Sequence, residues 1–419
     1  MVKILILGGG FGGIRCALDL ERRLSIGLAN NEIEITLLDK NGHHLFVPAL
    51  YEVASAYNLE KDPFAVKIKK TICIPYADIF ERKKINYIQA EIAGVDLENK
   101  KIITRGGNEL AYDYLVFALG SQTTNFGIPG VAEYAYQFKG LDDALMINEK
   151  INSLLEEISK GKRTVPVRVL IVGAGLTGIE LGAEISCCMK NIARKCRLGP
   201  GCTMITLFEA GPKILPMASE QERKIIKDRL TRLNIMIMEN SQIEEVELDR
   251  VKLKDGRTIH GDMIVWTAGI EANRALREIK NLKLDAKGKI AVNENLTAEG
   301  YQNVFAIGDN AGFIDTTVHK PVPAMAFVAG AEGKIAAQNI SNMIKNKPFK
   351  PYRPFYDLWV APVGGKFSLA HLWWGISIKG FWGWIVRELV DLKYLLSILP
   401  IKKAIRIFWE ETTVFTKND

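Results

Sequence analysis

The chain has 419 residues, with 55 lysines and arginines against 48 aspartates and glutamates, so its formal net charge is +7. Hydrophobic residues make up 48% and charged residues 25%, which excludes a disordered or collagen-like chain. The basic residues are scattered among acids and predict no nucleic-acid binding. The length suggests two or three domains. Six of the seven tryptophans lie between Trp359 and Trp409, which sets the C-terminus apart.

The chain begins with a predicted buried strand that runs into a glycine-rich turn. The turn holds Gly8, Gly10 and Gly13 in the pattern G-x-G-x-x-G, followed by a helical stretch and a strand that ends at Asp39. This succession is the dinucleotide-binding fingerprint. The glycines allow a tight turn and close approach to a pyrophosphate, the helix N-terminus favours its charge, and the acid binds a ribose.

A second segment repeats this pattern in the middle of the chain. Gly173, Gly175 and Gly178 follow an apolar strand, and a helix and a strand lead to Glu209. Either motif alone could be an ordinary glycine turn of an α/β domain. Two copies, each with its strand, helix and terminal acid, favour two dinucleotide sites.

The similarity between the two halves extends beyond the glycine turns. Tyr114–Gly120 and Met263–Gly269 are both apolar strands that end in a small residue and glycine, and a hairpin-like segment precedes each. We therefore predict an α/β fold of two Rossmann-like domains, the second inserted in the first. The predicted boundaries are 1–145 with 270–350 for the first domain, 146–269 for the second, and 351–419 for a C-terminal region.

A late strand ending in Gly308 and Asp309 distinguishes the two sites. An aspartate in that position can reach the ribityl-pyrophosphate of a flavin held by the N-terminal unit. We therefore assign FAD to the first turn and NAD(H) to the second. Glu209 would repel a 2′-phosphate, which favours NADH over NADPH, but Lys213 is close enough in sequence to leave that preference open.

Two further features near the glycine turns have alternative interpretations. Glu180 lies in the first helical turn after the second glycine turn, where it is either a carboxylate stabilised by the helix dipole or a catalytic residue at the nicotinamide–flavin contact. There it would position the carboxamide or the second substrate. His43 and His44 could suggest a metal, but no second ligand cluster appears, so we predict no metal. A backbone turn that passes the flavin, fixed by Pro48, is the preferred interpretation.

The C-terminal region predicts two amphipathic helices separated by Pro400. The first has one apolar stripe, formed by Phe381, Trp382, Ile385, Leu389, Leu392 and Leu396. Large apolar residues, tryptophans and flanking cations are typical of helices that lie on a membrane surface. The alternative is a helical hairpin packed on the core or across a dimer, and the two can coexist. No uncharged apolar stretch is long enough to predict a spanning helix.

With these motifs the chain resembles the type II NADH dehydrogenases, the single-subunit NADH:quinone oxidoreductases, over essentially its whole length. The segments that carry the resemblance are Gly8–Gly13, His44–Ala54, Tyr112–Gly120, Phe126–Gly130, Gly173–Glu184, Phe208–Pro212, Val265–Gly269, Phe305–Asp309 and the tail from Gly364. The resemblance implies a peripheral, monotopic flavoenzyme of the respiratory chain on the cytoplasmic face of the cell membrane. It would bind the membrane through residues 371–419 and pass electrons from NADH through FAD to a quinone. Whether it forms a homodimer stays open.

Motifs and resemblance together predict the site residues. The FAD residues are Gly8, Gly10, Phe11, Gly12, Gly13, Asp39, Lys40, Pro48, Ala118, Gly120, Gly308, Asp309 and Ala326. The NADH residues are Gly173, Gly175, Thr177, Gly178, Glu180, Glu209, Ala268 and Gly269. The family has glutamines where this chain has Phe327, Ala331 and Glu332, so its quinone contacts cannot be carried over to those side chains. Phe327, Ala331 and Lys366 are the candidates there, and the acceptor could be an unusual quinone or another compound.

Other electron-transfer flavoproteins remain alternatives. A sulfide:quinone oxidoreductase resembles the chain less, because its chemistry needs redox cysteines on both sides of the flavin, one of them late in the chain. No cysteine follows Cys202, and the vicinal Cys187 and Cys188 fall on a predicted helix. An NADH-dependent flavoprotein with a non-quinone acceptor, or a redox-silent flavoprotein that senses NAD, also fits the motifs.

Overall fold

The first glycine turn belongs to a parallel five-stranded sheet. The computed structural model describes residues 1–56, 71–163, 166–195 and 203–415. The strands lie in the spatial order Val304–Ala306, Tyr114–Phe117, Val2–Leu7, Ile33–Asp39 and Asn86–Gln89. The central strand is apolar and almost wholly buried, as a parallel sheet covered on both faces requires. One outer strand comes from residue 304, far along the chain from the other four.

The second glycine turn belongs to a sheet of the same design. Its five parallel strands lie in the order Tyr136–Gln137, Met263–Trp266, Val167–Val172, Thr203–Phe208 and Ile235–Met238. The strand before each glycine turn is again central, and the strand that ends in the acid lies beside it. The predicted α/β fold with two Rossmann-like units is therefore confirmed. Tyr136–Gln137 pairs in this second sheet although it precedes residue 146.

Each unit also carries a small antiparallel sheet. The first consists of Ile92–Asp96, Lys101–Thr104 and Glu109–Ala111, and the second of Ile243–Glu247, Arg250–Leu253 and Thr258–His260. Gly107 and Gly256 occupy the turns with φ of 80° and 87°, a backbone conformation that favours glycine. The predicted hairpin segments are thus confirmed, and the internal repeat extends through both sheets of each unit.

Long helices cover the parallel sheets. They are Phe11–Arg23, Leu141–Ser159, Leu176–Lys195, Glu220–Arg232 and Ala326–Ile344. The first and last of these pack closely, because a Cβ added at Gly333 would lie 2.3 Å from the carbonyl oxygen of Gly12. Shorter helices are Ser25–Ala29, Leu50–Ser55, Tyr76–Ile79 and Val131–Tyr134, and the 3₁₀ turns are Val47–Ala49, Arg274–Glu278, Gly308–Asn310 and Trp373–Gly375.

Three two-stranded ladders complete the connections between the larger elements. They pair Ser121–Thr123 with Ile270–Ala272, His43–Leu45 with Cys73–Pro75, and Ile314–Asp315 with Lys320–Pro321. The first ladder joins the segment that leaves the first sheet to the segment that follows the last strand of the second sheet. The two connections between the units therefore run side by side.

The C-terminal region consists of one antiparallel sheet and two helices. The sheet is formed by Trp359–Pro362, Ser368–Leu372 and Ile376–Gly380, and the helices are Phe381–Ile398 and Ile401–Phe415, which we call the first and second tail helices. The predicted break at Pro400 is confirmed. Buried side chains of both tail helices, including Leu395 and Ile407, share a core with Ile14 of the first unit. The tail is therefore part of the folded core.

The first tail helix presents its apolar stripe to the outside and its charges to the protein. Trp382 is 69% exposed and Leu389 58% exposed, whereas the side chains of Arg387 and Asp391 are only 12% and 10% exposed. A surface helix of a water-soluble protein normally has the opposite arrangement. Within the described ranges, no helix is both long and apolar enough to cross a membrane.

Candidate active site

The first glycine turn brings the strand, the helix and the terminal acid together as predicted. Gly8 has a φ of 105°, and a Cβ added at Gly13 would lie 1.9 Å from the Gly8 carbonyl oxygen. Asp39 Oδ2 accepts a hydrogen bond of 2.7 Å from the Gly9 amide. A Cβ at Gly10 would meet nothing within 4 Å, so the turn is open on the side where a pyrophosphate would approach.

Two aromatic residues from distant segments contact the Gly9 carbonyl oxygen, and a third contacts one of these two. The Tyr76 hydroxyl donates to it at 3.0 Å, and His44 Nδ1 lies 3.1 Å away. Because a carbonyl can only accept, Nδ1 carries the proton and Nε2 accepts the 2.8 Å hydrogen bond from the Tyr394 hydroxyl. Burial lowers the pKa of His44 to about 4, so the ring is neutral at physiological pH. Phe11 packs against His44 and Tyr394, with ring centroids 4.9 and 4.7 Å apart.

The predicted residues after the first unit's third strand hold the turn from the other side. The Ala118 carbonyl oxygen would be 2.3 Å from a Cβ on Gly8. The Asn310 side chain bridges both backbone groups of Gly120, accepting from its amide at 3.1 Å and donating to its carbonyl at 2.7 Å. Asp309 accepts a hydrogen bond from the Ser121 hydroxyl and lies next to Gly308, which has a φ of 63°.

Lys139 supplies a cation beside the predicted flavin aspartate. Its Nζ lies 3.7 Å from Asp309 Oδ2 and 2.8 Å from Ser121 Oγ. Sequence reasoning missed Lys139, Ser121 and Asn310, because nothing in their local sequence marks them. Of the remaining predicted FAD residues in the N-terminal segment, Lys40 is exposed directly after Asp39, and Pro48 is half-buried in a 3₁₀ turn.

The helix Ala326–Ile344 places the residues of the predicted acceptor side on two faces. Phe327 is 38% exposed and Ala331 is exposed. Glu332 instead points inward, is 2% exposed, and accepts a 2.5 Å hydrogen bond from the Gly308 amide. Burial raises the pKa of Glu332 to about 8, against the lowering effect of that hydrogen bond. Glu332 therefore supports the strand end that carries Asp309 and lies away from the surface.

The second glycine turn has the same backbone design. Gly173 has a φ of 107°, and a Cβ added at Gly178 would lie 1.9 Å from the Gly173 carbonyl oxygen. Glu209 accepts from the Gly211 amide at 2.8 Å and the Ala174 amide at 3.3 Å, as Asp39 does in the first turn. A Cβ at Gly175 would again meet nothing within 4 Å.

The other predicted NADH residues line this turn. Thr177 is exposed in the first turn of the helix, and the Ala268 backbone lies against Gly173, where a Cβ would be 2.8 Å from its nitrogen. Gly269 has a φ of 74° and faces the ring of Phe126. Lys213 Nζ lies 2.5 Å from Glu220 Oε1. The cation that could have bound a 2′-phosphate is therefore paired with a carboxylate.

Glu180 lies in an environment rich in carboxyl groups. Burial raises its pKa to about 8, while Arg387 lowers that pKa and Asp391 raises it. Glu184, one helical turn later on the same face, accepts a 3.2 Å hydrogen bond from the Gly365 amide. Charges of the first tail helix therefore influence the pKa of Glu180, and burial has the largest effect on it.

Lys366 lies next to the tail. It is exposed, and its Nζ lies 5.8 Å from the centre of the Trp384 ring, within cation–π range. No group of three His, Cys, Asp or Glu side chains that could hold a metal occurs in the part of the chain that the structure describes.

Two dinucleotide-type turns on two similar parallel sheets are typical of an oxidoreductase that binds two nucleotides. A family model described as pyridine nucleotide-disulphide oxidoreductase matches residues 2–333. The chain therefore belongs to the pyridine nucleotide-disulphide oxidoreductase family.

Individual relatives narrow the similarity. The chain is 25% identical over 416 residues to the type II NADH:quinone oxidoreductase of Staphylococcus saprophyticus, covering 96% of this chain and 98% of that protein. The Staphylococcus aureus protein of the same name is 27% identical with the same coverage. The predicted resemblance to this group is confirmed.

Solved structures match the fold. NDH2 from Plasmodium falciparum, solved in complex with NADH, has a TM-score of 0.81 and 20% identity, covering 100% of this chain and 97% of that one. The sulfide:quinone oxidoreductase of Aquifex aeolicus has a TM-score of 0.76 and 19% identity, covering 94% and 91%. At these identities the matches show a shared fold only.

Proposed function

We propose that the chain is a membrane-surface flavoprotein that transfers hydride from NADH to FAD and two electrons on to a quinone. The observation that carries the proposal is the pair of glycine turns, each with an acid on its backbone, the first of them in a unit whose core also includes the tail helices. The named relatives, type II NADH:quinone oxidoreductases over 96% of the chain, support the choice of donor and acceptor.

The first turn fits FAD. Its open side at Gly10, the carboxylate of Asp39 and the later aspartate Asp309 are the groups that a flavin dinucleotide needs at its pyrophosphate, ribose and ribityl chain. FAD, when bound, would supply the hydride-accepting and electron-passing chemistry. The protein's own contribution is to hold the turn, chiefly through His44 and Tyr76.

The second turn fits NADH. Gly175 leaves the pyrophosphate side open, and Glu209 offers a carboxylate to the ribose. With Lys213 paired to Glu220, a 2′-phosphate would meet the Glu209 charge without a nearby counter-ion, which favours NADH over NADPH. Glu180 would act at the contact between the two cofactors, where its raised pKa suits a group that holds a proton.

The domain organisation that we propose follows the sheet pairing. The second unit would be inserted in the first, because strand Val304–Ala306 pairs beside Tyr114–Phe117 after the whole second sheet has been built. The inserted unit would begin near Tyr136–Gln137, about ten residues before the sequence-based boundary, and end before Ile270–Ala272. Residues 351–419 would form the membrane-association region.

The tail would bind the membrane surface at the cytoplasmic face. Its outward apolar residues include Trp374, Trp382, Ile401 and Trp409, which are 62–86% exposed. Exposed cations, such as Arg406 of the second tail helix, lie on the same helix as Trp409 and would meet anionic headgroups. Phe327, Ala331 and Lys366 stay the candidates for the acceptor side, and a homodimer stays open.

One assay tests donor, acceptor and membrane together. We expect the purified yellow holoprotein to lose its visible flavin absorbance when NADH is added anaerobically and to regain it when quinone-loaded anionic vesicles are added. NADPH should act far more slowly and sulfide not at all. A flavin band that NADH leaves unchanged and sulfide removes would overturn the assignment of the donor.

A vesicle co-sedimentation assay, combined with flavin reduction by NADH, separates the role of the tail from that of the nucleotide sites. Trp382→Ser with Trp409→Ser should reduce vesicle co-sedimentation at least about tenfold, because each buried aromatic contributes about 1.5–3 kcal/mol, while NADH still reduces the flavin. Ile26→Ser with Leu248→Ser is the matched control, since both residues are 78% exposed outside the tail. Equal vesicle binding by both double variants would contradict a membrane role of the tail.

A further inference from the structure

The tail helices bring an excess of carboxyl groups into the protein interior. We call Glu52, Glu388, Asp391 and Glu411 the carboxyl cluster. Arg387 pairs with three of them, at 2.7 Å to Glu52, 3.1 Å to Glu388 and 3.2 Å to Asp391. The side chains of Glu52 and Asp391 are 7% and 10% exposed. One guanidinium thus faces four carboxyl groups, and it cannot neutralise them all.

Glu411 is the member whose position is hardest to explain as a structural ion. It is 5% exposed, and neither of its carboxyl oxygens has a hydrogen-bond partner in the described part of the chain. Glu52 Oε2 is in the same situation. Both residues line a cavity of about 30 Å³, which has room for about two water molecules. An ionised carboxylate in such a place is costly, so the protonated acid is favoured.

The surroundings of the cluster point the same way. Burial raises the pKa of Asp391 to about 7 and that of Glu411 well above its ordinary value, with neighbouring carboxylates adding to both effects. The titratable and charged groups that face the cluster are Tyr51 and Glu52 from the short helix, Glu180 and Glu184 from the second unit, Arg387, Glu388 and Asp391 from the first tail helix, and Glu411 from the second.

The cluster connects the tail to the nucleotide side. The Tyr51 hydroxyl donates to Glu52 at 3.1 Å, and the Arg387 guanidinium lies 5.7 Å from the centre of the Tyr51 ring. Glu184 lines the same cavity as Glu411, and Glu180 lies one helical turn away from Glu184. Protonatable groups therefore run from the second tail helix to the predicted contact between the cofactors.

The proposed reaction needs a proton that NADH does not supply. Oxidation of NADH to NAD⁺ releases two electrons and one proton, carried as hydride, whereas reduction of a quinone to a quinol takes two electrons and two protons. A quinone that arrives from the apolar outer face of the tail brings no water with it. The second proton must therefore already be held inside the protein or reach the quinone through it.

Resting on the proposed function, we propose that the carboxyl cluster stores this proton and delivers it toward the quinone. One carboxylic acid O–H bond breaks, an O–H bond forms on a quinol oxygen through the cavity and its neighbours, and the carboxylate left behind regains a proton from solvent. The members of the cluster are proton-holding residues that act at a distance from the reacting atoms. The electrons follow the route from NADH and do not pass through the cluster.

The test uses the holoenzyme, a short-chain ubiquinone and the variant Glu411→Gln. We expect NADH to reduce the flavin at the wild-type rate, while quinol formation at pH 8 slows about a hundredfold, the low end of a general-acid contribution. Gln at position 411 has no acid proton to lose, so the alkaline loss of rate that deprotonation of Glu411 causes in wild type should be absent from the variant's pH profile. Glu410→Gln, the same change at the exposed next residue, should leave both rates and the pH profile unchanged.

A second readout does not depend on turnover. The infrared carbonyl band of protonated carboxylic acids at pH 7 should lose intensity in Glu411→Gln and stay unchanged in Glu410→Gln. In wild type, the pKa of the buried acid is higher in the folded than in the unfolded protein. The contribution of this acid to the free energy of unfolding therefore falls as pH rises from 5 to 8. The melting temperature of Glu411→Gln relative to wild type should therefore increase over that range.

The outcomes separate this proposal from the proposed function. If Glu411→Gln has the wild-type pH profile and infrared band, the cluster stores no proton. If it slows flavin reduction and quinol formation equally, Glu411 has a structural role and the proposal is again wrong. If wild-type enzyme fails to reduce ubiquinone at all, the proposed function fails, while the infrared band still reports whether the cluster holds a proton.

Discussion

The two glycine turns share a backbone design and differ in how they are enclosed. In both, the first glycine has a φ near 105°, a Cβ on the third glycine would lie 1.9 Å from the first glycine's carbonyl oxygen, and an acid accepts from the backbone amide after the first glycine. The first turn is also braced by His44 and Tyr76, and through His44 by Tyr394. In the second, Thr267 Oγ1 lies 2.9 Å from the Gly173 carbonyl oxygen.

This difference matches what each turn would bind. At Gly9 a Cβ would lie 1.9 Å from the Tyr76 hydroxyl, so the Tyr76 side chain covers the first turn on that side. Ala174 occupies the corresponding position in the second turn. A resident cofactor profits from a rigid, preorganised site that slows its release, whereas a substrate must leave in every cycle. We therefore expect the motif to retain a cofactor in the first unit and to exchange a substrate in the second.

Alanine at the third glycine of each turn gives the largest expected difference between the two turns. In Gly13→Ala and Gly178→Ala the new Cβ meets a backbone oxygen at 1.9 Å, so the helix must shift. Such overpacking costs about 1–3 kcal/mol, occasionally more. We expect Gly13→Ala to be purified with little flavin, and Gly178→Ala to keep its flavin but lose its reduction by NADH. Flavin-to-protein ratios and anaerobic NADH titrations measure both effects.

The control for this pair is Gly10→Ala, whose Cβ has free space in the protein. It should fold with wild-type stability in denaturant titrations and still bind flavin poorly, because the methyl group occupies the pyrophosphate side. Loss of flavin from Gly178→Ala, with retention in Gly13→Ala, would reverse the assignment of the two turns.

Truncating the two acids removes hydrogen bonds but adds no atom that the backbone must avoid. Asp39 accepts backbone hydrogen bonds of 2.7 and 2.8 Å, and Glu209 accepts bonds of 2.8 and 3.3 Å. Hydrogen bonds to charged groups contribute about 1.5–3 kcal/mol, or about 10- to 100-fold in affinity. Asp39→Ala should therefore release flavin on dialysis. Glu209→Ala should raise the KM for NADH and reduce the preference of the enzyme for NADH over NADPH. Unchanged flavin content in dialysed Asp39→Ala would argue against its role.

The glycine turns could be predicted from the sequence because their requirements are local. A positive φ at Gly8 and a backbone contact at Gly13 leave glycine as the residue that fits, and the acid follows at the end of the next strand. The apolar stripe of the first tail helix was predictable for the same reason. Its period is written in consecutive residues.

The bracing and the burial of charge could not be predicted in this way. Tyr76 and Tyr394 lie 67 and 350 residues from the groups they contact, so only the folded chain brings them together. The stripe also fails to say which face of a helix meets the core. Arg387 and Asp391 read as solvent-facing charges in the sequence, yet they face inward, because the apolar face is the one that the protein leaves outside.

The smallest expected effect comes from removing a single hydroxyl group that contacts the first turn. Tyr76→Phe deletes one of the two hydrogen bonds to the Gly9 carbonyl and keeps the ring that packs on Tyr87, 4.8 Å away between centroids. His44 Nδ1 still donates to that carbonyl, so no buried acceptor is left unsatisfied. The loss should be about 1 kcal/mol, or about fivefold in the flavin dissociation constant.

Tyr112→Phe is the matched control for this change. Tyr112 is 3% exposed in the same unit, and its hydroxyl has no hydrogen-bond partner among the described residues, so its removal should leave flavin affinity and stability nearly unchanged. Tyr76→Phe should also leave the affinity for NADH unchanged, because no aromatic side chain among the described residues hydrogen-bonds to Gly173 or Ala174. If Tyr76→Phe weakened NADH and flavin binding equally, the two turns would not be held independently, and retention could not be assigned to the bracing of the first.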